Sequence, residues 1–84
     1  MKALIYTKNA CPFCIAAKQL LENKNIPYEE INLEKDPTQK QLLQEMVPGA
    51  KTVPQIFIDN IYVGGFDQLK ERFTTEGTAQ LLID

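Results

Sequence analysis

Cys11-Pro12-Phe13-Cys14 constrains this chain more than any other stretch. The apolar run Ala3-Leu4-Ile5-Tyr6 precedes it and a helical pattern follows. At a strand-to-helix junction the first sulfur falls beside the N–H groups of the opening helical turn, which have no acceptor within the helix. Those groups and the helix dipole favour negative charge, so a thiolate forms more readily at Cys11 than in a free cysteine. Pro12 suits the first helical position, because its missing N–H would have had no partner. Cys14, one turn on, can close a small disulfide with Cys11, which makes the pair a reversible two-electron switch.

Two structural alternatives compete with that reading. A closed zinc site takes four ligands, and this chain has no histidine and no third cysteine, so no metal site is expected. A static staple would close a loop too short to restrain the unfolded chain much. Beside a strand–helix pattern, C-x-x-C reads as a redox motif.

The 84 residues are read as one domain, 1–84; a chain of this size buries roughly 60–65% of its unfolded surface. With 44% hydrophobic residues it should be globular. The formal net charge is −2 and the charges are scattered, so neither nucleic acid nor anionic lipid is expected as a partner. The apolar run at the N-terminus is too short for a signal peptide, and no stretch could span a membrane. A C-x-x-C without an export signal points to a reducing cytoplasm, where the pair would cycle. No large unpaired apolar stripe is evident, so a monomer is expected.

Residues 2–7 read as a strand and 12–24 as a helix, with Phe13, Cys14, Ala17, Leu20 and Leu21 at helical spacing and Lys18 facing water. Pro27 blocks continuation. Residues 28–33 read as a half-exposed edge strand, which completes a βαβ unit with parallel strands. Asp36 is expected to cap a second helix, with Pro37 in its first position and Gln39 completing a capping box. Leu42, Leu43, Met46 and Val47 give that helix a buried stripe, ended by Pro48-Gly49. Gln55-Ile56-Phe57-Ile58 reads as a buried strand, Asp59-Asn60 as a turn and Ile61-Tyr62-Val63 as the returning hairpin strand. Phe66, Leu69 and Phe73 mark one face of a third helix ending by Gly77, after which Leu81-Leu82-Ile83 can dock as a last turn. The order is β-α-β-α-β-β-α: an α/β chain with a four-stranded mixed sheet flanked by helices.

Lys8, Cys11-Pro12-Phe13-Cys14, Thr52-Val53-Pro54 and Gly64-Gly65-Phe66-Asp67 stand in the order and spacing of a glutaredoxin, and the chain resembles that family over essentially its whole length. The resemblance implies the thioredoxin-like fold in its smallest form. It departs at Phe13, where dithiol members most often carry tyrosine. It further implies a glutathione-dependent thiol–disulfide oxidoreductase with glutathione as co-substrate and no bound cofactor. Cys11 would be the exposed nucleophile and Cys14 the more buried resolving thiol. Substrates would be glutathionylated or disulfide-containing proteins, ribonucleotide reductase among them.

The same resemblance assigns a glutathione site. Lys8 adds positive charge beside Cys11, and Phe13 and Thr52 line a groove. Val53-Pro54 matches a cis-proline loop whose Val53 backbone pairs with the cysteinyl part of glutathione. Lys51 and Gln41 fall where the glycine carboxylate binds. Gly65 allows close approach, the Phe66 and Asp67 N–H groups suit the γ-glutamyl carboxylate, and the Asp67 side chain pairs with the ligand amine. The plainer alternatives are solvated surface residues for Lys8, Lys51 and Gln41, a strand-opening proline at Pro54, and helix capping by Asp67. Two other functions stay open: a redoxin reduced directly by thioredoxin reductase, and an iron–sulfur cluster carrier, against which Pro12 counts.

Overall fold

A computed structural model describes residues 1–73. The strands are β1 (Ala3–Thr7), β2 (Tyr28–Asn32), β3 (Gln55–Ile58) and β4 (Ile61–Gly64). The helices are α1 (Pro12–Asn23), α2 (Thr38–Met46) and α3, described over 66–73. The strands form one sheet in the order β2-β1-β3-β4, with β1 parallel to β2 and the other pairs antiparallel. The expected mixed sheet and element order are therefore present. The proposed last turn, 81–83, lies outside the described residues.

Alternation along the strands sets the core. Ala3 and Ile5 of β1 and Ile56 and Ile58 of β3 point to one face and pack with Ala17 and Leu21 of α1, with Ile26 in the loop after α1, and with Leu69 of α3. Phe66 and Phe73 pack against the same cluster from α3, as their spacing predicts. Burying a side chain such as Ile5 or Leu21 contributes about 1.5–3 kcal/mol. The opposite face carries an aromatic row, Tyr6–Phe57–Tyr62, with ring centroids 6.1 and 5.3 Å apart.

The β3–β4 hairpin turns on Asp59 and Asn60, whose φ values of 52° and 66° are those that a two-residue turn between twisted strands requires. The Asp59 carboxylate accepts the Lys2 N–H at 3.0 Å, and the Asp59 N–H donates to the Lys2 carbonyl at 2.9 Å, which ties the turn to the start of β1.

Two local expectations are corrected. Leu42 and Met46 are half exposed, and of the stripe proposed for α2 only Leu43 is fully buried. Leu42 and Met46 share a row one position around the helix from Leu43, so only one of the two rows meets the protein. Asp36 does not cap α2: the helix starts at Thr38, and the Asp36 carboxylate accepts the Thr38 hydroxyl at 2.7 Å. Lys18 faces water as expected, partly exposed and paired there with Glu30 at 3.1 Å.

Candidate active site

Cys11 is the N-cap of α1. Its φ of −113° and ψ of 102° are extended, its carbonyl accepts the Ile15 N–H at 3.1 Å, and Pro12 follows at the first helical position. Its sulfur accepts the Cys14 N–H at 3.2 Å, the place an N-cap oxygen usually takes. That donor supports negative charge on the sulfur once the pair is reduced. Ala10, just before it, holds a φ of 52°, which few residues other than glycine adopt. The chain thus bends sharply into the helix at the cysteine.

Cys11 and Cys14 are joined as a disulfide, with Cα atoms 5.2 Å apart. Cys14 is the more buried, at 2% exposure, as expected. Cys11, expected to be exposed, is only 6% exposed. The Cys14 N–H and the Val53 carbonyl, 3.8 Å from the sulfur, cover it on two sides. The surface it keeps opens into a groove of about 650 Å³. The Val53–Pro54 peptide bond is cis, as the motif match implied.

Lys8, Phe13, Lys51, Thr52 and Val53 line that groove with Cys11. Gln41 does not; Lys40 and Gln44 line it from α2 instead. Positions 40, 43, 44 and 47 share one helical face, so taking Leu43 as the buried anchor would have selected Lys40 and Gln44 from the sequence. Glu34 is the one acidic lining residue against three lysines, so the groove is net cationic in a chain of net charge −2.

The remaining predicted residues are not among those that line the groove. Phe66 stacks on Phe13 with ring centroids 6.1 Å apart. A Cβ at Gly65 would sit 3.4 Å from the Pro54 carbonyl oxygen, so the two segments approach closely there. Gly65 is the N-cap of α3: its carbonyl accepts the Leu69 N–H at 3.1 Å, and its N–H donates to Gln68 Oε1 at 2.9 Å. Gln68 thereby makes the return half of a capping box. Asp67 is exposed, and among the described residues its carboxylate has no hydrogen-bond partner, so it does not cap the helix.

Behind the site, sequence spacing gave no hint of two polar groupings. Buried Thr7 donates to Glu30, which also takes Lys18. Gln55, 5% exposed, bonds both Thr52 and Tyr62. Among the described residues no cluster of three or more cysteine or acidic side chains could hold a metal, and no helix is long and apolar enough to cross a membrane.

A family model described as Glutaredoxin matches residues 3–63. The chain is 52% identical over 67 residues to Glutaredoxin 1 of Rickettsia felis, covering 79% of this chain and 66% of that protein. It is 42% identical over 67 residues to Glutaredoxin 3 of Escherichia coli, covering 77% of each. The chain thus spans just under two thirds of the Rickettsia felis relative. The solved structure of Glutaredoxin 1 from Francisella tularensis superposes with a TM-score of 0.75 at 36% identity, over 92% of this chain and 96% of that one. It shares the thioredoxin-like arrangement of a four-stranded mixed sheet flanked by three helices. With the cysteine pair, the cis-proline loop and the sheet order all in place, the chain belongs to the glutaredoxin family.

Proposed function

We propose that this chain is a thiol–disulfide oxidoreductase that uses glutathione as co-substrate and carries no resident cofactor. One observation carries the reading: the Cys11 sulfur is held at a helix N-terminus by the Cys14 N–H, beside the Val53 carbonyl, at the edge of a groove lined by three lysines. Lys8, Lys40 and Lys51 suit a tripeptide with two carboxylates.

With a glutathione mixed disulfide, the Cys11 thiolate attacks the glutathione sulfur. The old S–S bond breaks, the substrate leaves as a thiolate that takes a proton, and Cys11 keeps the glutathionyl group. A second glutathione thiolate attacks that group, which frees Cys11 and forms oxidised glutathione. With a protein disulfide, Cys11 forms the mixed disulfide with the protein. Cys14 then attacks Cys11, the substrate leaves with both sulfurs reduced, and the Cys11–Cys14 disulfide remains for two glutathione molecules to reduce. Ribonucleotide reductase is one protein disulfide of this kind. The cytoplasm, whose glutathione pool is reducing, suits the cycle, and the chain acts as a monomer.

The test is turnover of a glutathione mixed disulfide with glutathione, glutathione reductase and NADPH, run beside the same assay with thioredoxin reductase as sole reductant. Turnover in the first assay supports the proposal. Turnover only in the second assigns the chain to the redoxins that thioredoxin reductase serves, and a brown dimer after anaerobic reconstitution assigns it to cluster carriage.

A further inference from the structure

Gln55 is a polar side chain buried where an apolar one would pack. It opens β3 directly after the cis bond, is 5% exposed, and pairs in register with Tyr6. Alternation puts it on the same face as Phe57, across from which Tyr62 stands on β4. Its Nε2 donates to the Thr52 carbonyl oxygen at 2.9 Å and lies 3.4 Å from Thr52 Oγ1. Its Oε1 accepts the Tyr62 hydroxyl. The Thr52 carbonyl can only accept, so the amide nitrogen must face it, and the Tyr62 hydroxyl fixes the amide by donating to the oxygen.

The Thr52 carbonyl and the Val53 N–H belong to one planar peptide unit and point in opposite directions. Thr52 and Val53 precede β3, whose pairing with β1 begins at Gln55, so no sheet ladder holds that unit. Gripping the Thr52 oxygen from inside therefore aims the Val53 N–H outward, on the residue whose carbonyl lies 3.8 Å from the Cys11 sulfur.

We propose that Gln55 and Tyr62 are positioning residues, a side-chain clamp that sets the direction of the Val53 N–H and so the fit of the substrate half of a mixed disulfide beside Cys11. The clamp rests on the functional reading above, in which the Val53 backbone meets the substrate. It explains why a buried amide opens a strand that is otherwise apolar: the group is needed for the loop before it.

The probe is the mixed disulfide of glutathione and 2-mercaptoethanol, assayed first with the wild-type chain and then with Gln55→Met, which keeps length and loses both polar ends. Losing both hydrogen bonds of the Gln55 amide should raise KM for the probe about five-fold in Gln55→Met, and losing the Tyr62 hydroxyl's bond alone about two-fold in Tyr62→Phe, with kcat within about two-fold of wild type. The Val53 amide resonance should move in both variants. Wild-type KM in Gln55→Met overturns the clamp, whatever the thermal stability of the variant. Should Gln55→Met fail to fold, Tyr62→Phe decides, because that ring is 45% exposed and its loss of one hydroxyl is mild: a raised KM supports the clamp and an unchanged one overturns it. Failure of the functional reading looks different, since the wild-type chain itself then does not turn the probe over.

Discussion

Thr7, fully buried, donates a 2.6 Å hydrogen bond to the Glu30 carboxylate, and Lys18 closes on the same carboxylate at 3.1 Å. The three residues join β1, β2 and α1 where the strand leaves for the cysteine pair. The Thr7 hydroxyl is the main reason that the Glu30 carboxyl sits below its ordinary range. Partial burial opposes it, and Lys18 and then Lys35 add to the lowering. A carboxyl lowered in the folded state stabilises above its unfolded pKa of about 4.3, and loses that contribution as pH falls through the lower folded value. Thermal midpoints should therefore fall as pH drops below about 4.3, and Glu30→Gln should flatten part of that fall. Parallel curves for the two proteins would show that the carboxylate contributes nothing. Thr7→Val should cost about 1 kcal/mol at neutral pH, since the acceptor is charged but partly exposed.

The two cysteines divide the work by position. Cys11 caps the helix and opens on the groove, while Cys14 lies behind it at 2% exposure. Cys11→Ser should abolish reduction of glutathione mixed disulfides. Cys14→Ser should keep that activity and lose most reduction of a protein disulfide. Rates measured on both substrates check the division, and equal losses in both would refute it.

How much of this was legible in the sequence depends on whether one segment or two were involved. The strands, the start of α1 at Pro12 and the Asp59-Asn60 turn each follow from a single segment's pattern, and spacing exposed them. The second helix shows the limit: its apolar residues occupy two adjacent rows, and which row is covered depends on the neighbour, so Leu43 went in while Leu42 and Met46 stayed out. The same quarter-turn separates Gln41 from the groove-lining Lys40 and Gln44. Thr7–Glu30 and Gln55–Tyr62 are contacts between segments, and an isolated threonine or glutamine carries no periodic signal. The Val53–Pro54 isomer was legible only through motif resemblance.

Tyr28 donates to Glu22 at 2.7 Å across the end of α1. That hydrogen bond, with burial and the charges of Glu22 and Glu30, pushes the Tyr28 phenol up to about 12. The neutral phenol is the form that the fold favours, so its contribution is complete below the ordinary value near 10 and is lost as pH rises toward about 12. An absorbance titration of the three tyrosines should show a late step that vanishes in Tyr28→Phe and moves down in Glu22→Gln. A late step that survives Tyr28→Phe would assign it to Tyr6, whose phenol burial also raises.

Asp67 and Gln68 are neighbours with separable duties. Gln68 Oε1 takes the Gly65 N–H at 2.9 Å and closes the cap of α3, while Asp67 is exposed and free of hydrogen bonds among the described residues. Losing a cap of this kind costs about 1 kcal/mol, so Gln68→Ala should lower the thermal midpoint by several degrees. Asp67→Ala should leave it nearly unchanged, as exposed substitutions stay within about 0.5 kcal/mol. If Asp67 meets the glutathione amine, Asp67→Ala should instead raise KM for a glutathione mixed disulfide by about three- to ten-fold, the cost of one charge-assisted contact that is partly open to water. Melting curves and KM measured on both variants separate the two. A stability loss in Asp67→Ala with KM untouched would return that carboxylate to the helix, and a KM change confined to Gln68→Ala would move ligand contact one residue along α3.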